Sequence, residues 1–131
     1  MRGTRRALVP AVLAVALLVP MAAPAGAATI LDGYCSPSGD YCTSVVKKVS
    51  GAIVFKIRAF ANYFGQAEAC VRRTSRVCHT VHAREDNHGL FIWAIRWQDN
   101  YPNQGPGRYN VTWRDKSSGA RIGPRLHFMR G

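Results

Sequence analysis

The sequence predicts an all-β domain, a two-layer sandwich of about seven short antiparallel strands with two disulfides. In several segments, apolar and polar residues alternate with a period of two. Polar turns rich in Gly, Pro and Asn separate these segments, and none of them shows a convincing helical period. Short strands of this kind are typical of two stacked sheets, each of which buries one face.

The N-terminus has the features of a secretion signal. Arginines precede an uncharged run over residues 7–31, and Ala25-Gly26-Ala27 offers a signal-peptidase site. Three prolines interrupt the run, which favours a cleaved signal over a membrane anchor. We therefore expect a signal peptide over residues 1–27 and an extracellular protein with no transmembrane span.

The segment that follows the signal, residues 28–40, is predicted to be an N-terminal loop. It contains Gly33, Pro37 and Gly39 and has no sustained apolar pattern. Two cysteines, Cys35 and Cys42, would hold it in place. The sandwich domain is expected to occupy residues 41–131.

Three segments carry the clearest strand pattern: residues 52–60, 90–98 and 108–114. Weaker candidates are residues 41–49, 67–72, 77–84 and 125–129. The chain's tryptophans share the phase of the inward rows, so we expect them in the core; they are Trp93, Trp97 and Trp113.

The stretch CVRRTSRVCHTVH, residues 70–82, predicts a hairpin with Cys70 opposite Cys78. That register turns alternate alanines and valines inward. Cα atoms of opposed residues lie about 4.5 to 5.5 Å apart, which a disulfide can span. An even cysteine count in an exported chain favours disulfides over thiolate ligands. Pairing Cys35 with Cys42 would complete the set, although four cysteines permit three pairings.

Histidines in the same stretch raise the alternative of a metal site. On a strand, His79 and His82 are an odd number of positions apart and point to opposite faces. They could meet Asp86 and His88 only if this segment were helical or looped. We therefore predict neither a metal nor a cofactor.

The segment Gly107-Arg-Tyr-Asn-Val-Thr-Trp113 resembles the penultimate strand of an immunoglobulin-like or fibronectin-like domain, with Tyr109 at the place of the tyrosine corner. Residues 122–128 resemble the last strand. The mature chain also resembles uncharacterised small secreted proteins of actinobacteria, in its Cys-x6-Cys start, its cysteine hairpin and its Tyr-x-Val-x-Trp strand. The resemblance implies fold and export but no activity. It also implies that the third, fourth, sixth and seventh predicted strands share a sheet.

Charge suggests a partner for that sheet. The first 27 residues hold three of the 18 basic residues and none of the seven acidic ones, which leaves a net charge of +8 for the rest. Such a surplus attracts anionic polymers or envelope surfaces. Guanidinium groups bind phosphate and carboxylate bidentately. The predicted anion-binding residues are Arg72, Arg76, Arg84, Arg108, Arg114 and Arg125.

The predicted function is thus a secreted, monomeric, non-catalytic binding module. Simple solvation of a basic face is the alternative. Aromatic residues do not alternate with the arginines, which disfavours a base-stacking surface for nucleic acid.

Two other functions stay open from sequence. A protein-binding module or secreted inhibitor would act through loop aromatics, namely Tyr34, Tyr63 and Tyr101. A small hydrolase of the cell envelope would need a catalytic constellation. The sequence shows no nucleophile elbow, zinc-protease motif or phosphate-cradling glycine motif, so we do not expect an enzyme.

Overall fold

A computed structural model describes residues 27–131, and the rest of the predicted signal peptide lies outside this range. Nine strands and one helical turn follow one another: β1 (Thr29–Cys35), β2 (Tyr41–Lys47), β3 (Ile53–Ala59), β4 (Gln66–Arg72), β5 (Arg76–His82), β6 (Arg84–Glu85), β7 (Phe91–Arg96), α1 (Trp97–Asn100), β8 (Gly107–Asp115) and β9 (Leu126–Arg130). In the described range, no helix is long and apolar enough to cross a membrane.

The strands form two antiparallel sheets. Sheet A has the order β1-β2-β3-β7-β6, and sheet B has the order β5-β4-β8-β9. The prediction of an all-β sandwich with two disulfides is confirmed. The predicted grouping of strands is also confirmed. The third, fourth, sixth and seventh predicted strands correspond to β4, β5, β8 and β9, which together form sheet B.

The core lies between the inner faces of the two sheets. All three tryptophans are buried in it, as predicted. Aromatic rings fill its centre: Tyr109 stacks on Phe128 with ring centroids 5.0 Å apart, and Trp97 meets Phe128 edge-on at 5.5 Å. Rings in these geometries contribute beyond the apolar area they bury. The period-two pattern therefore identified the side chains that join the sheets.

Tyr109 forms a tyrosine corner. Its ring is buried at the start of β8, and its hydroxyl donates a hydrogen bond to the carbonyl of Gly105 at 2.6 Å. The same hydroxyl accepts the backbone N–H of Gln104 at 2.8 Å. The bonds fix the loop that enters β8 against the sandwich, at the position predicted from the sequence.

Residues 28–40 are not simply a loop, so that prediction is wrong for Thr29–Cys35. These residues form β1, an edge strand paired with β2, whose register shifts between Ile30 and Asp32. Most of β1 is exposed. Because it buries little, it shows no alternating pattern, and backbone pairing and the Cys35–Cys42 disulfide hold it instead.

Three predicted strands end two residues earlier than expected. The strand predicted over residues 41–49 stops at Lys47. The strand predicted over residues 77–84 stops at His82, and the chain then crosses to sheet A, where Arg84–Glu85 pairs with β7. The strand predicted over residues 90–98 stops at Arg96, and Trp97–Asn100 forms a helical turn. Trp97 is buried in this turn, so the prediction that it lies in the core is confirmed although the prediction that it lies on a strand is wrong.

Candidate anion-binding groove

The cysteine hairpin has the predicted register. Cys70 pairs with Cys78, Val71 with Val77 and Ala67 with Val81. Disulfides join Cys70 to Cys78 and Cys35 to Cys42, with Cα atoms 4.0 Å apart in each. No free cysteine occurs in the part of the chain that the structure describes.

A groove of about 400 Å³ crosses the outer face of sheet B. Cys70 on β4 and Thr112 on β8 are register partners and lie in its floor. The Nη2 atom of Arg76 lies 3.3 Å from the Cys70 sulfur. The lining residues are Cys70, Arg72, Arg76, Asn110, Thr112, Arg114, Arg121 and Arg125. Five cationic side chains therefore surround a small neutral floor.

Four of these arginines form two cross-strand pairs of like charge. Arg72 is the register partner of Arg76, and Arg114 is bridged to Arg121. Like charges directly opposite one another destabilise a sheet. Within residues 27–131, the only ion pair of an arginine or lysine is Arg96 with Asp99, so no carboxylate neutralises these arginines. The groove concentrates uncompensated positive charge.

Arg114 lines the groove and is held in place by a hydrogen bond to the backbone. Its Nη1 donates to the carbonyl of Gly119 at 3.1 Å. Its Nε is buried and has no hydrogen-bond partner among the described residues. Glu68 is the register partner of Arg114, but the two form no ion pair. A guanidinium positioned in this way suits an oxyanion, since charged donors form the stronger hydrogen bonds.

The structure brings four of the six predicted anion-binding residues into this groove: Arg72, Arg76, Arg114 and Arg125. Arg108 lies at the start of β8 opposite Met129 and does not line the groove.

The predicted placement of Arg84 is wrong. It pairs with Ile92 in sheet A, because β5 ends before it and the chain changes sheets. There it lines a separate groove of about 390 Å³ with His82 and Arg96.

Arg121 lines the groove, but sequence analysis missed it because it follows β8 in a turn. The turn is closed by Asp115, whose N–H donates to the carbonyl of Ala120 at 2.8 Å. Hydrogen bonds from the side chain and backbone of Ser117 hold the pKa of Asp115 below its ordinary value. Treating DKSSG as a hairpin loop and counting pairs outward would have placed Arg121 opposite Arg114.

The histidines of the opening hairpin do not converge. The ring of His79 packs against Tyr101 with centroids 4.9 Å apart, whereas His82 lines the groove that contains Arg84. One cluster of three ligand-type side chains occurs in the described range, formed by Glu68, Cys70 and Cys78. Both sulfurs are in a disulfide and offer no thiolate, so we assign no metal to this cluster.

One of the three tyrosines predicted for a protein-binding module or inhibitor is not accessible to a partner. Tyr101 is 6% exposed, and its hydroxyl donates to the carbonyl of Ala69 at 2.7 Å. Burial raises the pKa of this phenol. The expectation that Tyr101 is free to recognise a partner is therefore wrong. Tyr34 is half-buried in β1, while Tyr63 is 49% exposed.

Comparison with known proteins identified no relative of this chain. No protein-family model matches the sequence, and no curated protein or solved structure is significantly similar to it. Fold and groove together define the class: a small, disulfide-bonded, all-β domain with an arginine-lined groove on one sheet.

Proposed function

We propose that this protein is a secreted, non-catalytic module that holds an anionic polymer, such as an envelope polymer bearing phosphate or carboxylate groups, in the groove of sheet B. The two cross-strand arginine pairs carry the proposal. Such pairs cost stability in the free protein. Departures from the rules of strand pairing are expected at functional sites, and an anion lying between the guanidinium groups would relieve the repulsion.

The extent of the groove favours a polymer over a single small anion. The lining reaches from Arg76 on β5 to Arg121 beyond β8, which is three interstrand spacings, or about 14 Å. One phosphate group can contact only some of these guanidinium groups. A chain of repeated anionic groups could contact all five arginines and release several counterions.

The finer fold class and the compartment are part of the same proposal. With β1 set aside, the sheet orders β2-β3-β7-β6 and β5-β4-β8-β9 match those of an immunoglobulin-like sandwich, and the Tyr109 corner supports that class. Two disulfides favour an oxidising compartment. Both support a secreted domain like the small actinobacterial proteins that the sequence resembles.

Binding of inorganic polyphosphate, measured by calorimetry at several salt concentrations, tests the proposal. We expect affinity to fall steeply between about 50 and 200 mM salt. The double variant Arg72→Ser, Arg114→Ser should lower affinity by about tenfold or more, because each charge-assisted contact is worth roughly 1.5 to 3 kcal/mol. The matched control Lys48→Ser, Arg84→Ser removes the same net charge from exposed positions outside the groove.

The two variants separate a site from a general charge effect. If the control weakens binding as much as the groove variant does, attraction depends on net charge alone and the groove has no special role. Binding that is insensitive to salt would also contradict the proposal. A single-stranded oligonucleotide serves as the nucleic-acid comparison, and we expect no preference for it over polyphosphate of equal charge.

A further inference from the structure

A third groove, of about 550 Å³, lies on the opposite side of the molecule from the arginine groove, on the outer face of sheet A. It follows β2, with β1 on one side and β3 on the other. The residues that matter are Ile30, Gly33, Val46, Lys56, Arg58 and Ile92. This groove shares no lining residue with the arginine groove of sheet B.

Gly33 leaves this groove open. It lies inside β1, pairs with Ser44 and does not have a positive φ angle, so its backbone does not require glycine. A Cβ atom there would lie 3.5 Å from the carbonyl of Thr43 and 3.6 Å from Ile30 Cγ2, which is ordinary contact. Glycine inside a strand lowers stability and often marks a bulge or the close approach of a ligand or another backbone. The register shift of β1, between Ile30 and Asp32, ends just before Gly33.

The two walls of the groove differ in chemistry. Ile30, on the β1 side, is 68% exposed, and its register partner Val46 on β2 is 9% exposed. On the β3 side, Lys56 pairs with Ser44 and Arg58 pairs with Cys42. No carboxylate lines the groove. Ile92 on β7, the register partner of Arg58, is the one apolar residue on the cationic side. Mainly apolar surface on one side and the two cations on the other match a ligand that has an alkyl chain and a negative headgroup.

Other occupants fit less well. A soluble polyanion would leave the apolar wall unused. A second copy of this chain would place Lys56 and Arg58 against their own counterparts, and like charges across an interface are unfavourable.

We propose that this groove binds a single-chain amphiphile with an anionic headgroup, such as an alkyl phosphate or a long-chain carboxylate. The chain lies along β2 against Ile30 and Val46, and the headgroup contacts Lys56 and Arg58. From Cys42 to Val46 the groove runs for four residues, or about 13 Å. The site is independent of the polymer groove proposed for sheet B.

Three probes distinguish the contribution of the alkyl chain to binding from that of the anionic headgroup. Calorimetry would use decyl phosphate below its micelle concentration, the neutral decyl maltoside, and inorganic phosphate. We expect decyl phosphate to bind about tenfold or more tightly than either of the others, because only it engages both walls. Two more methylene groups should raise affinity by up to about fifteenfold, the limit for complete burial.

Variants then locate the site. Lys56→Ser with Arg58→Ser should reduce decyl phosphate binding to the level of decyl maltoside. Gly33→Leu should fill the groove and weaken decyl phosphate about tenfold or more, with polyphosphate binding unchanged. Asn87→Leu adds the same side chain in an exposed turn and should have no effect. Thermal unfolding confirms that each variant is folded.

Three results would overturn the proposal. The first is decyl phosphate binding that survives Gly33→Leu in a folded protein. The second is decyl phosphate binding that is lost in Arg72→Ser, Arg114→Ser, since that places the headgroup in sheet B. The third is binding only to vesicles containing phosphatidylglycerol and not to monomeric decyl phosphate, which would indicate a bilayer surface instead of a groove for one chain.

Discussion

The carboxylate of Asp32 connects the two sheets through His127. Asp32 Oδ2 accepts the backbone N–H of His127 at 2.9 Å and lies 3.1 Å from its Nδ1. Asp32 belongs to β1 at the edge of sheet A, and His127 belongs to β9 at the edge of sheet B. Asp32 Oδ1 also accepts the N–H of Gly33. One side chain thus satisfies backbone groups of both edges, which would otherwise be open to pairing with other chains.

Replacing Asp32 with Ala should therefore destabilise the sandwich by about 1 to 3 kcal/mol, because a hydrogen-bonded N–H of β9 loses its partner. Urea unfolding measures the change. Asp99→Ala is the control, since Asp99 forms an exposed pair with Arg96, and such pairs contribute about 0 to 1 kcal/mol. Equal effects in both variants would mean that Asp32 does not link the sheets.

Tyr109→Phe should destabilise the domain by about 1 to 3 kcal/mol. The variant keeps the stacked ring but removes the hydroxyl that serves Gly105 and Gln104, and it leaves both backbone groups without this partner. Tyr63→Phe removes a hydroxyl from an exposed loop residue and should change the unfolding free energy by no more than about 0.5 kcal/mol. A Tyr109→Phe protein as stable as the wild type would argue against the corner's role.

Arg121→Glu should stabilise the free protein and weaken polyanion binding. The change replaces a like-charged pair with Arg114 by an attractive one, worth roughly 0.2 to 1 kcal/mol in a sheet. Melting temperature at low salt measures the gain, and polyphosphate calorimetry measures the loss. The gain should shrink as added salt screens the charges. A fall in stability at low salt would show that the arginines do not repel each other in the free groove.

Asp115 should contribute stability that depends on pH. Hydrogen bonds from Ser117 hold the pKa of its carboxyl below the ordinary value of 3.8, so the unfolded chain binds a proton more readily than the folded one. The contribution is present above about pH 4 and is lost as the pH falls through the folded-state pKa. Asp115→Ala should differ from the wild type in urea unfolding at about pH 6, and the difference should vanish towards pH 2. A difference independent of pH would contradict this origin.

Removing the hairpin disulfide should cost about 2 to 3 kcal/mol. Cys70 and Cys78 close a loop of sequence separation 8, for which the chain-entropy estimate gives that value. Cys70→Ser with Cys78→Ser is the variant, and thermal unfolding is the measurement. The register should persist, because Ala67, Ala69, Val71 and Val81 of the hairpin are buried independently of the sulfurs. Mass mapping that found free thiols in the wild type would contradict the pairing.

Sequence analysis predicted the strands best where one face is buried. In β3 and β8 alternate residues enter the core, so the register, the inward row and the grouping of sheet B followed from periodicity. The edge elements β1 and β6 were missed, because β1 is mostly exposed and β6 is exposed throughout. Alternation of apolar and polar residues arises when one face of a strand is buried, so a strand that buries little does not show it.

The residues of the candidate site could likewise be predicted only where they lie on half-buried strands. Arg72, Arg76 and Arg114 could be assigned to one outer face because each lies on a strand with a buried side. Arg84 could not be placed correctly, since a change of sheet after His82 decides where it lies. Arg121 was missed because its bridge to Arg114 lies beyond β8 and becomes evident only when residues 115–119 are treated as a hairpin loop.

The sequence by itself determined which side chains face inward and that the cysteines of the hairpin oppose each other, because alternation and local register are properties of neighbouring residues. Only the tertiary structure decided which arginines share a groove, that Asp32 meets His127, and that a glycine in an edge strand leaves a groove open on sheet A. These relationships join residues distant in the chain, and they depend on how the two sheets are connected and packed.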